Sequence, residues 1–570
     1  MTKKKIPYGI SNFQAIKDDN CYYVDKTKYL ELLEGLNEKY LFFLRPRKFG
    51  KSLFISLLEY YYGIEHKDKF DKLFGEYYIG KNPTSKANSY YILRFDFSGI
   101  LTSTNEETFR GFRKKVIDGV KYFNKVYQLF SKDELTEIVE EKTSNEILTS
   151  FFNAFNTSDD SKIYVLVDEY DHFTNELISF RLPEFKEIVS RNGYVRKFYE
   201  AIKEGTGRGI VDRFFATGVT PVTLDSLTSG FNIGSDLTLD FRLNEMLGFT
   251  DEEVKSMLDY YDVYNSEEMM SDLHKLYNGS LFSVRANQRM YNSNMVLYFL
   301  NQYLIENKYP DKLIDTNIAS DYNKIKKIFY INNTIEHQQK LNEIITDEET
   351  TATITDKYSF ERPFTPDDFV SLLFYNGMLT IKEAGISETK FQIPNYVIKE
   401  IYWSFFKDEL TKKFDITLSD SDIRKSFEEL AVYNNMERWI TEIEKVLDLL
   451  SNRDYQNFDE KYIKMLFITL ASLAPIYIIK SEAEIKGEYP DIMYLFRKPN
   501  KVNFQFLIEL KYLKKSESKK LSKTMELAKG QVNRYLQKPE ISELENLKAY
   551  AIVFVGKKGH FTFVDRSETL

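Results

Sequence analysis

The feature that most restricts the fold of this 570-residue chain is an apolar strand pattern that leads through a basic loop into a helical pattern. Tyr40–Leu44 is apolar and β-rich, and Ser52–Tyr62 has the pattern of a helix. Between them lies the loop Arg45-Pro-Arg-Lys-Phe-Gly-Lys-Ser52. A strand, a loop and a helix in this order are typical of an α/β fold in which the helix N-terminus faces a phosphate.

The loop keeps the second half of the phosphate-binding motif G-x-x-x-x-G-K-[ST], whereas Arg45 stands where the first glycine belongs. Gly50 allows the backbone to curl so that amides point at a phosphate, and Lys51 can reach the outer phosphates. Ser52 can hold Mg²⁺ at the helix N-terminus. A lone Gly-Lys-Ser recurs by chance in a lysine-rich chain, so its position between a strand and a helix carries the argument.

An acidic segment follows a later strand. Ile163–Val167 is apolar and ends in Asp168-Glu-Tyr-Asp171. Carboxylates at the carboxyl end of a buried strand face the crevice where α/β folds bind ligands. In NTPases the first acid lies beside the metal, and a following glutamate can orient the attacking water. The alternative is a strand followed by a solvated acidic turn; the order of the two motifs favours a nucleotide site.

Together with Ala216-Thr-Gly-Val-Thr220, these segments resemble the AAA-ATPase-like family over roughly residues 5–300. Members of this family carry Arg at the position of Arg45, so the loop departs only from the general motif. The resemblance implies that ATP is bound, that Ser52 and Asp168 hold Mg²⁺, and that Glu169 is the catalytic base. It implies nucleotide contacts from Arg45, Arg47, Lys48, Phe49, Gly50, Lys51, Ser52, Asp168 and Thr217, the last in a sensor-like position. Further matches to the family are Asp25-Lys-Thr27, Arg94-Phe-Asp-Phe-Ser98, Leu247-Gly-Phe-Thr250 and Tyr277-Asn-Gly279, the last without an assigned role.

A second acidic set lies near the C-terminus. Pro490-Asp491 is followed about 18 residues later by Glu509-Leu-Lys511, with the acids on β-type segments. Residues two apart in a strand point to the same face, so Glu509 and Lys511 project together. With Asp491 on the neighbouring strand, they suit a hard divalent cation beside an ammonium that stabilises developing charge. The alternative is an ordinary sheet edge, where Glu-x-Lys is common.

With Gly487 and Ala528-Lys-Gly-Gln-Val-x-x-Tyr535, this region is similar to the PD-(D/E)XK nuclease domain over roughly residues 455–565. The resemblance implies catalytic roles for Asp491, Glu509, Lys511 and Gln531. It also implies a metal bound by Asp491, Glu509 and an acid on the first helix, a place that Glu460 occupies. The histidine that usually follows this acid is absent here.

Charge and composition limit the other possibilities. The net charge of −8 excludes a uniformly basic nucleic-acid coat, but residues 497–538 hold 12 basic and 3 acidic side chains. Such a basic surface suits a phosphate backbone, and a solvated lysine-rich helix is the alternative. A single cysteine and five scattered histidines exclude disulfide frameworks and make Cys- or His-based metal sites unexpected. Without a secretory signal or an apolar run near the roughly 18 residues of a membrane span, we expect a cytoplasmic, bacterial protein with no membrane contact.

The sequence thus predicts an α/β protein of four parts. These are a P-loop AAA-type ATPase core at 1–245, a helical lid at 246–305, a helical linker at 306–440 and a small α/β PD-(D/E)XK nuclease-like domain at 441–570. We expect an ATP-binding protein coupled to a divalent-metal-dependent nuclease, with ATP and Mg²⁺ or Mn²⁺ as cofactors and DNA favoured over RNA as partner. A nucleotide-gated nucleic-acid-binding or scaffold protein with inert sites is the alternative, and a homo-oligomer is left open.

Overall fold

A computed structural model describes the chain at residues 3–155, 162–173, 193–221, 231–315, 317–320, 326–330, 334–358, 363–414, 419–449, 459–481 and 487–565. The chain divides into two compact units. The first falls within residues 1–305, 313–341 and 349–397, and the second within 306–312, 342–348 and 398–570. The linker predicted at 306–440 is therefore divided between the two units.

The first unit contains a five-stranded parallel sheet in the order β2-β3-β4-β1-β5. Its longer strands are almost continuously apolar, because a parallel sheet is covered by helices on both faces. The α/β fold with a parallel sheet, predicted from the alternation of strands and helices, is confirmed. The strands are β1 Tyr40–Leu44, β2 Tyr90–Asp96, β3 Lys162–Asp168, β4 Val211–Gly218 and β5 Ser235–Asp236.

Helices surround this sheet and continue beyond it. Two of these helices, α3 (Lys51–Tyr62) and α6 (Asn105–Tyr127), pack against β3 and β2 respectively. Among the described residues, the α-helices that begin before residue 390 are α1 Phe13–Asp18, α2 Lys28–Gly35, α3 Lys51–Tyr62, α4 Phe70–Phe74, α5 Tyr78–Lys81, α6 Asn105–Tyr127, α7 Lys132–Glu140, α8 Ser144–Ala154, α9 Tyr194–Gly207, α10 Asp251–Tyr260, α11 Ser266–Tyr277, α12 Ser293–Glu306, α13 Ile335–Asp347 and α14 Pro366–Tyr375.

A second sheet of the first unit corrects the sequence analysis, which predicted only helices and polar joints between residues 246 and 440. Three antiparallel strands, β6 Glu349–Ala352, β7 Thr380–Ala384 and β8 Thr389–Gln392, form a sheet in the order β6-β8-β7. Strands of four or five mostly polar residues lack the apolar alternation that makes a strand visible in sequence.

The second unit is built on a five-stranded mixed sheet in the order β13-β12-β11-β10-β9. Its strands are β9 Tyr477–Ser481, β10 Ile492–Phe496, β11 Gln505–Leu513, β12 Leu547–Val555 and β13 Lys558–Val564. Only β11 and β12 pair in parallel. Strand β13 lies at the edge of this sheet, and most of its residues are exposed or half-exposed.

Helices also accompany this sheet. They are α15 Tyr396–Phe414, α16 Asp420–Tyr433, α17 Met436–Leu449, α18 Glu460–Ala471, α19 Leu521–Leu536 and α20 Pro539–Ser542. Helix α19 packs Val532 and Tyr535 into a core with Met493 of β10 and Leu507 of β11. This packing brings one face of α19 against the strands that carry the C-terminal acidic residues. In the described part of the chain, no helix is both long enough and apolar enough to cross a membrane.

Candidate active sites

The first candidate site begins with the loop between β1 and α3. Gly50 precedes the helix with a φ of +97°, a left-handed conformation that strongly favours glycine. The loop encloses its own lysine: Lys51 Nζ donates hydrogen bonds to the carbonyl oxygens of Arg45 (3.0 Å) and Pro46 (3.1 Å). Burial lowers the pKa of Lys51, against the opposing effect of nearby carboxylates. The ammonium is thus held inside the loop, where it would meet a phosphate seated on the helix N-terminus.

The residues expected to hold Mg²⁺ lie beside this loop. Ser52 lies beside Asp168, the last residue of β3. Asp168 is buried, and its Oδ1 has no hydrogen-bond partner within the described residues. Burial and the neighbouring Glu169 raise the pKa of Asp168 to about 6. A buried carboxylate oxygen without a partner, next to a serine hydroxyl, fits a hard divalent cation, since such a cation takes oxygen ligands.

Glu169 contacts a residue that the sequence analysis did not single out. Its carboxylate Oε2 lies 3.0 Å from His172 Nδ1. Burial acts to raise the pKa of Glu169, but the hydrogen bond with His172 and the charges of Lys51 and Arg47 outweigh it and lower the pKa to about 2. In turn, the bond to Glu169 raises the pKa of His172. The Glu-x-x-His spacing, which brings i and i+3 together in a turn, was the signal that could have found this pair.

Asp171, the last acid of the segment, has a structural role. Its carboxylate accepts hydrogen bonds from the backbone N–H groups of Val219 (3.0 Å) and Thr220 (2.7 Å), and from the Thr220 hydroxyl (2.8 Å). These bonds fasten the acidic segment to the residues that follow β4. Asp171 is fully buried, so its carboxylate is committed to this turn.

Arg45 departs from the expectation that it contacts nucleotide. Its guanidinium donates to the carbonyl oxygens of Leu44 (2.8 Å), Thr238 (2.8 Å) and Leu243 (2.9 Å). The guanidinium carbon lies 4.1 Å from the centre of the Phe282 ring, and burial lowers the pKa of this arginine. Arg45 therefore stabilises the loop from outside the cavity, because its long side chain reaches the carbonyl oxygens of Leu44, Thr238 and Leu243.

Thr217 likewise faces away from the expected nucleotide. Its hydroxyl donates to the carbonyl oxygen of Phe43 at 2.8 Å, and its side chain is buried. This bond joins β4 to β1 at the point where the two residues are in register. The sensor-like position implied by the resemblance is thus used, in this structure, to hold two strands together.

A cavity of about 470 Å³ lies over the loop. Arg45 and Thr217 are not among the described residues that line it, whereas Glu169 and His172 are. From the loop and the start of α3, the lining includes Arg47, Lys48, Phe49, Gly50, Lys51 and Ser52. The remaining lining is largely apolar and comes from the N-terminal segment, residues 246–249, Met257 and the start of α12. The charged lining thus comes mostly from the loop and from residues 169 and 172, which form the charged end of the cavity, and the other lining residues are largely apolar, a combination that suits a nucleotide.

Two segments after the sheet hold the loop in place. The Gly248 N–H donates to the Phe49 carbonyl oxygen at 3.2 Å, and the Ser293 hydroxyl donates to that of Lys48 at 3.2 Å. Gly248 has a φ of +85°, and a β-carbon there would lie 2.8 Å from the Tyr291 carbonyl oxygen. The left-handed φ and the close approach to Tyr291 thus explain why the Leu247-Gly-Phe-Thr250 segment needs its glycine.

The second candidate site lies where β10 and β11 meet. Asp491 immediately precedes β10, and the pairing of Ile492 with Ile508 brings it opposite Glu509. Lys511 Nζ lies 2.7 Å from Glu509 Oε1, 3.2 Å from Glu460 Oε1 and 3.7 Å from Asp491 Oδ2. The structure therefore brings together the three predicted metal ligands, with Lys511 at their centre.

The electrostatics of this site follow from crowding of like charges. Burial and the neighbouring Asp491 raise the pKa of Glu509 to about 7, although Lys511 and Tyr535 oppose the shift. Burial also raises the pKa of Glu460. For Lys511, burial favours the neutral form, but the three carboxylates outweigh it and raise the pKa. The ammonium is therefore the counter-ion of the whole acidic group.

Carboxylate oxygens are suitable ligands for a hard divalent cation. In this structure, however, the three carboxylates are arranged around the ammonium of Lys511. Within the described ranges, no three His, Cys, Asp or Glu side chains are grouped so that they could hold a metal ion. Carboxylate oxygens would have to lie about 2.1 Å from Mg²⁺, closer than the separations seen around the ammonium. Metal binding at this site thus requires the carboxylates to draw together and Lys511 to give up part of its contacts.

Helix α19 contributes a residue that the sequence analysis quoted but gave no role. The Tyr535 hydroxyl donates to Glu509 Oε2 at 3.2 Å. Gln531 lies one helical turn earlier, half-buried on the same face. The i, i+4 spacing of Gln531 and Tyr535 was the signal that linked the two. Four lysines of the basic segment 497–538, Lys514, Lys515, Lys519 and Lys520, are exposed just after β11.

The phosphate loop and the C-terminal acidic group lie in segments that match two different protein families. Residues 7–228 match the family described as "Predicted AAA-ATPase", and residues 458–563 match the PD-(D/E)XK nuclease superfamily. The chain is 27% identical over 269 residues to the "Uncharacterized protein in vnfD 5'region" of Azotobacter chroococcum mcd 1. That similarity covers 45% of this chain and 45% of the relative, so it spans less than half of either.

Proposed function

We propose that this chain is an ATP-dependent nuclease. Its AAA-ATPase-like domain lies at residues 7–228, and its PD-(D/E)XK nuclease superfamily domain lies at residues 458–563. The first domain binds and hydrolyses ATP. The second hydrolyses phosphodiester bonds with Mg²⁺ or Mn²⁺, with DNA as the favoured substrate. The observation that carries this proposal is that in each domain one lysine ammonium lies close to carboxylates at or next to a strand end, an arrangement that suits phosphate chemistry.

In the proposed ATPase, Lys51 and the amides at the start of α3 bind the outer phosphates. Ser52 and Asp168 hold Mg²⁺, which neutralises charge on the phosphates when bound. Glu169 orients the attacking water at the charged end of the cavity. The region proposed as the lid, 246–305, is supported by the bonds from Gly248 and Ser293 to the loop.

In the proposed nuclease, Asp491, Glu509 and Glu460 supply oxygen ligands. The divalent cation, when bound, polarises the phosphate and activates water. Lys511, released from part of its ion pairing, stabilises charge on the phosphate oxygens. Tyr535 keeps Glu509 oriented through its hydroxyl, and Gln531 lies beside it on α19. The 12 basic residues between 497 and 538 attract the nucleic-acid backbone.

The test is an assay of the purified full-length chain with end-labelled single- and double-stranded DNA and RNA. Cleavage is measured with Mg²⁺, Mn²⁺ or a chelator, each with and without ATP, and ATP hydrolysis is measured in parallel. Metal-dependent cleavage that changes with ATP supports the coupled function. Binding of nucleic acid without cleavage under every condition would instead favour the nucleotide-gated binding protein.

A further inference from the structure

Glu169 has a backbone conformation that glutamate rarely adopts. Its φ is +54°, in the left-handed region that side chains with a β-carbon seldom occupy. Such a conformation persists only where surrounding contacts hold it, and it is frequent at functional sites. The contacts that hold Glu169 therefore decide where its carboxylate points.

The segment 169–172 is fastened on both sides. The Tyr170 N–H donates to the Thr217 carbonyl oxygen at 3.1 Å, and Asp171 is bound to the residues after β4 as described above. The His172 N–H donates to the Glu169 carbonyl oxygen at 3.1 Å, which closes the turn. His172 then contacts Glu169 a second time, from Nδ1 to carboxylate Oε2 at 3.0 Å. The histidine thus fixes both the backbone and the side chain of this glutamate.

Both residues line the cavity over the phosphate loop, each with about a fifth of its side chain exposed. Glu169 is faced by Lys51 and Arg47 from the loop and by Asp168 from β3. His172 is faced by Glu169, Arg47 and Asp171. The pair therefore lies at the charged end of the cavity, where a water molecule would attack the terminal phosphate.

We propose that His172 is a positioning residue for ATP hydrolysis, which holds the Glu169 carboxylate in the orientation that aligns the attacking water. This inference rests on the proposed ATPase function. His172 acts through Glu169 and contributes to the rate of hydrolysis, whereas nucleotide affinity comes from the loop. Since a misplacement of about 1 Å can cost about 10²-fold in rate, the loss of one orienting bond should be measurable.

Two substitutions separate this role from simple packing. His172→Asn keeps an N–H donor near the position of Nδ1, while His172→Leu keeps bulk and removes the donor. The matched control is His274→Leu: His274 Nδ1 also contacts a carboxylate, Asp251 Oδ1 at 3.1 Å, but His274 is not among the described residues that line the cavity. Each variant is assayed for kcat, KM and equilibrium ATP binding, and its thermal unfolding is recorded.

We expect His172→Leu to lower kcat by about 10- to 100-fold with ATP affinity within about twofold of the wild type. His172→Asn should recover most of the rate, and His274→Leu should match the wild type. Equal losses in the Leu and Asn variants, or a loss of ATP affinity in step with rate, would overturn the positioning role alone.

A wild-type protein that binds ATP without turnover would overturn the proposed ATPase and the positioning role together. A second readout is independent of turnover. The NMR signals of the His172 ring are titrated in the wild type and in Glu169→Gln, where the raised pKa of His172 should return toward its ordinary value. An unchanged His172 titration in Glu169→Gln would show that the contact does not form and would overturn the proposal as well.

Discussion

Each of the two candidate sites centres on one lysine, but the two lysines are held by different kinds of partner. Lys51 is bound by carbonyl oxygens five and six residues earlier in its own loop. Lys511 is bound by carboxylates from β11, from the residue before β10, and from α18, 51 positions away. The lysine of the first site is thus held by a local backbone structure, whereas the lysine of the second site has its partners only when strand pairing and helix packing are complete.

The difference extends to charge. Glu169, surrounded by His172, Lys51 and Arg47, has a pKa lowered to about 2. Glu509 is buried beside Asp491 with Lys511 as its main counter-ion, and its pKa is raised to about 7. An acid with several cationic neighbours stays ionised, while acids that share one cation compete for it. The proposed nuclease site should therefore be the more sensitive of the two to loss of a single side chain.

The first prediction concerns the shared-cation site, where a large effect is expected. Asp491→Ala should reduce metal-dependent cleavage by about 10³-fold, because it removes a metal ligand, while ATP binding stays intact. End-labelled DNA cleavage and equilibrium ATP binding measure the two. The control is Glu488→Gln, which removes a nearby acid that pairs with Arg534 and Lys538 instead. Unchanged cleavage in Asp491→Ala would leave this domain as a binding or structural module.

The next effect separates hydrolysis from binding at the first site. Glu169→Gln should lower ATP turnover by about 10²- to 10⁴-fold and keep nucleotide affinity, since removal of a general base acts on the chemical step. Steady-state hydrolysis and a direct binding assay are compared on the same preparation. If turnover is unaffected, the water is oriented by another group and Glu169 serves only to hold His172.

The third prediction concerns the lysine held by its own loop. Lys51→Ala should abolish detectable ATP binding without unfolding the protein, because its ammonium is the cation that the loop directs at the phosphates. Lys48→Ala, in the same loop but away from the helix N-terminus, should weaken binding far less. Calorimetric titration with ATP provides the measurement. Unchanged affinity in Lys51→Ala would contradict the phosphate-loop assignment.

The smallest expected effect is a pH dependence of the free energy of unfolding, which tests the raised pKa of Glu509. Because the folded pKa of Glu509 is raised, the folded chain holds a proton that the unfolded chain has lost between the ordinary Glu pKa and about pH 7. The free energy of unfolding should therefore fall, by about 1–3 kcal/mol, as pH rises through this window. Glu509→Gln should remove that dependence.

This measurement can be confined to the second unit. Both tryptophans of the chain, Trp403 and Trp439, are buried there, so their fluorescence follows its unfolding in urea. A chelator keeps metal from the carboxylates, and Glu488→Gln serves as the surface control. The same pH dependence in wild type and Glu509→Gln would mean that Lys511 keeps Glu509 ionised throughout.

Patterns that span a few residues were visible in the sequence. The apolar strand, the Gly50-Lys51-Ser52 turn and the helix predicted β1, the loop and α3. The family matches confirm the resemblance to the AAA-ATPase-like family and to the PD-(D/E)XK nuclease domain. The two-residue spacing of Glu509 and Lys511 predicted that both project from one face, and their side chains are in contact. By contrast, the short polar strands β6 to β8 carried no visible pattern and were missed.

The sequence by itself determined which segments are strands and helices around each site, because strand alternation and helix spacing depend on neighbouring residues only. Only the tertiary structure decided which groups the side chains at the two sites contact. It turned Arg45 away from the cavity, joined Thr217 to Phe43, and brought Glu460 and Tyr535 to residues of β11. These contacts join positions from 26 to 193 residues apart, and at such distances the arrangement of strands and helices decides which side chains meet.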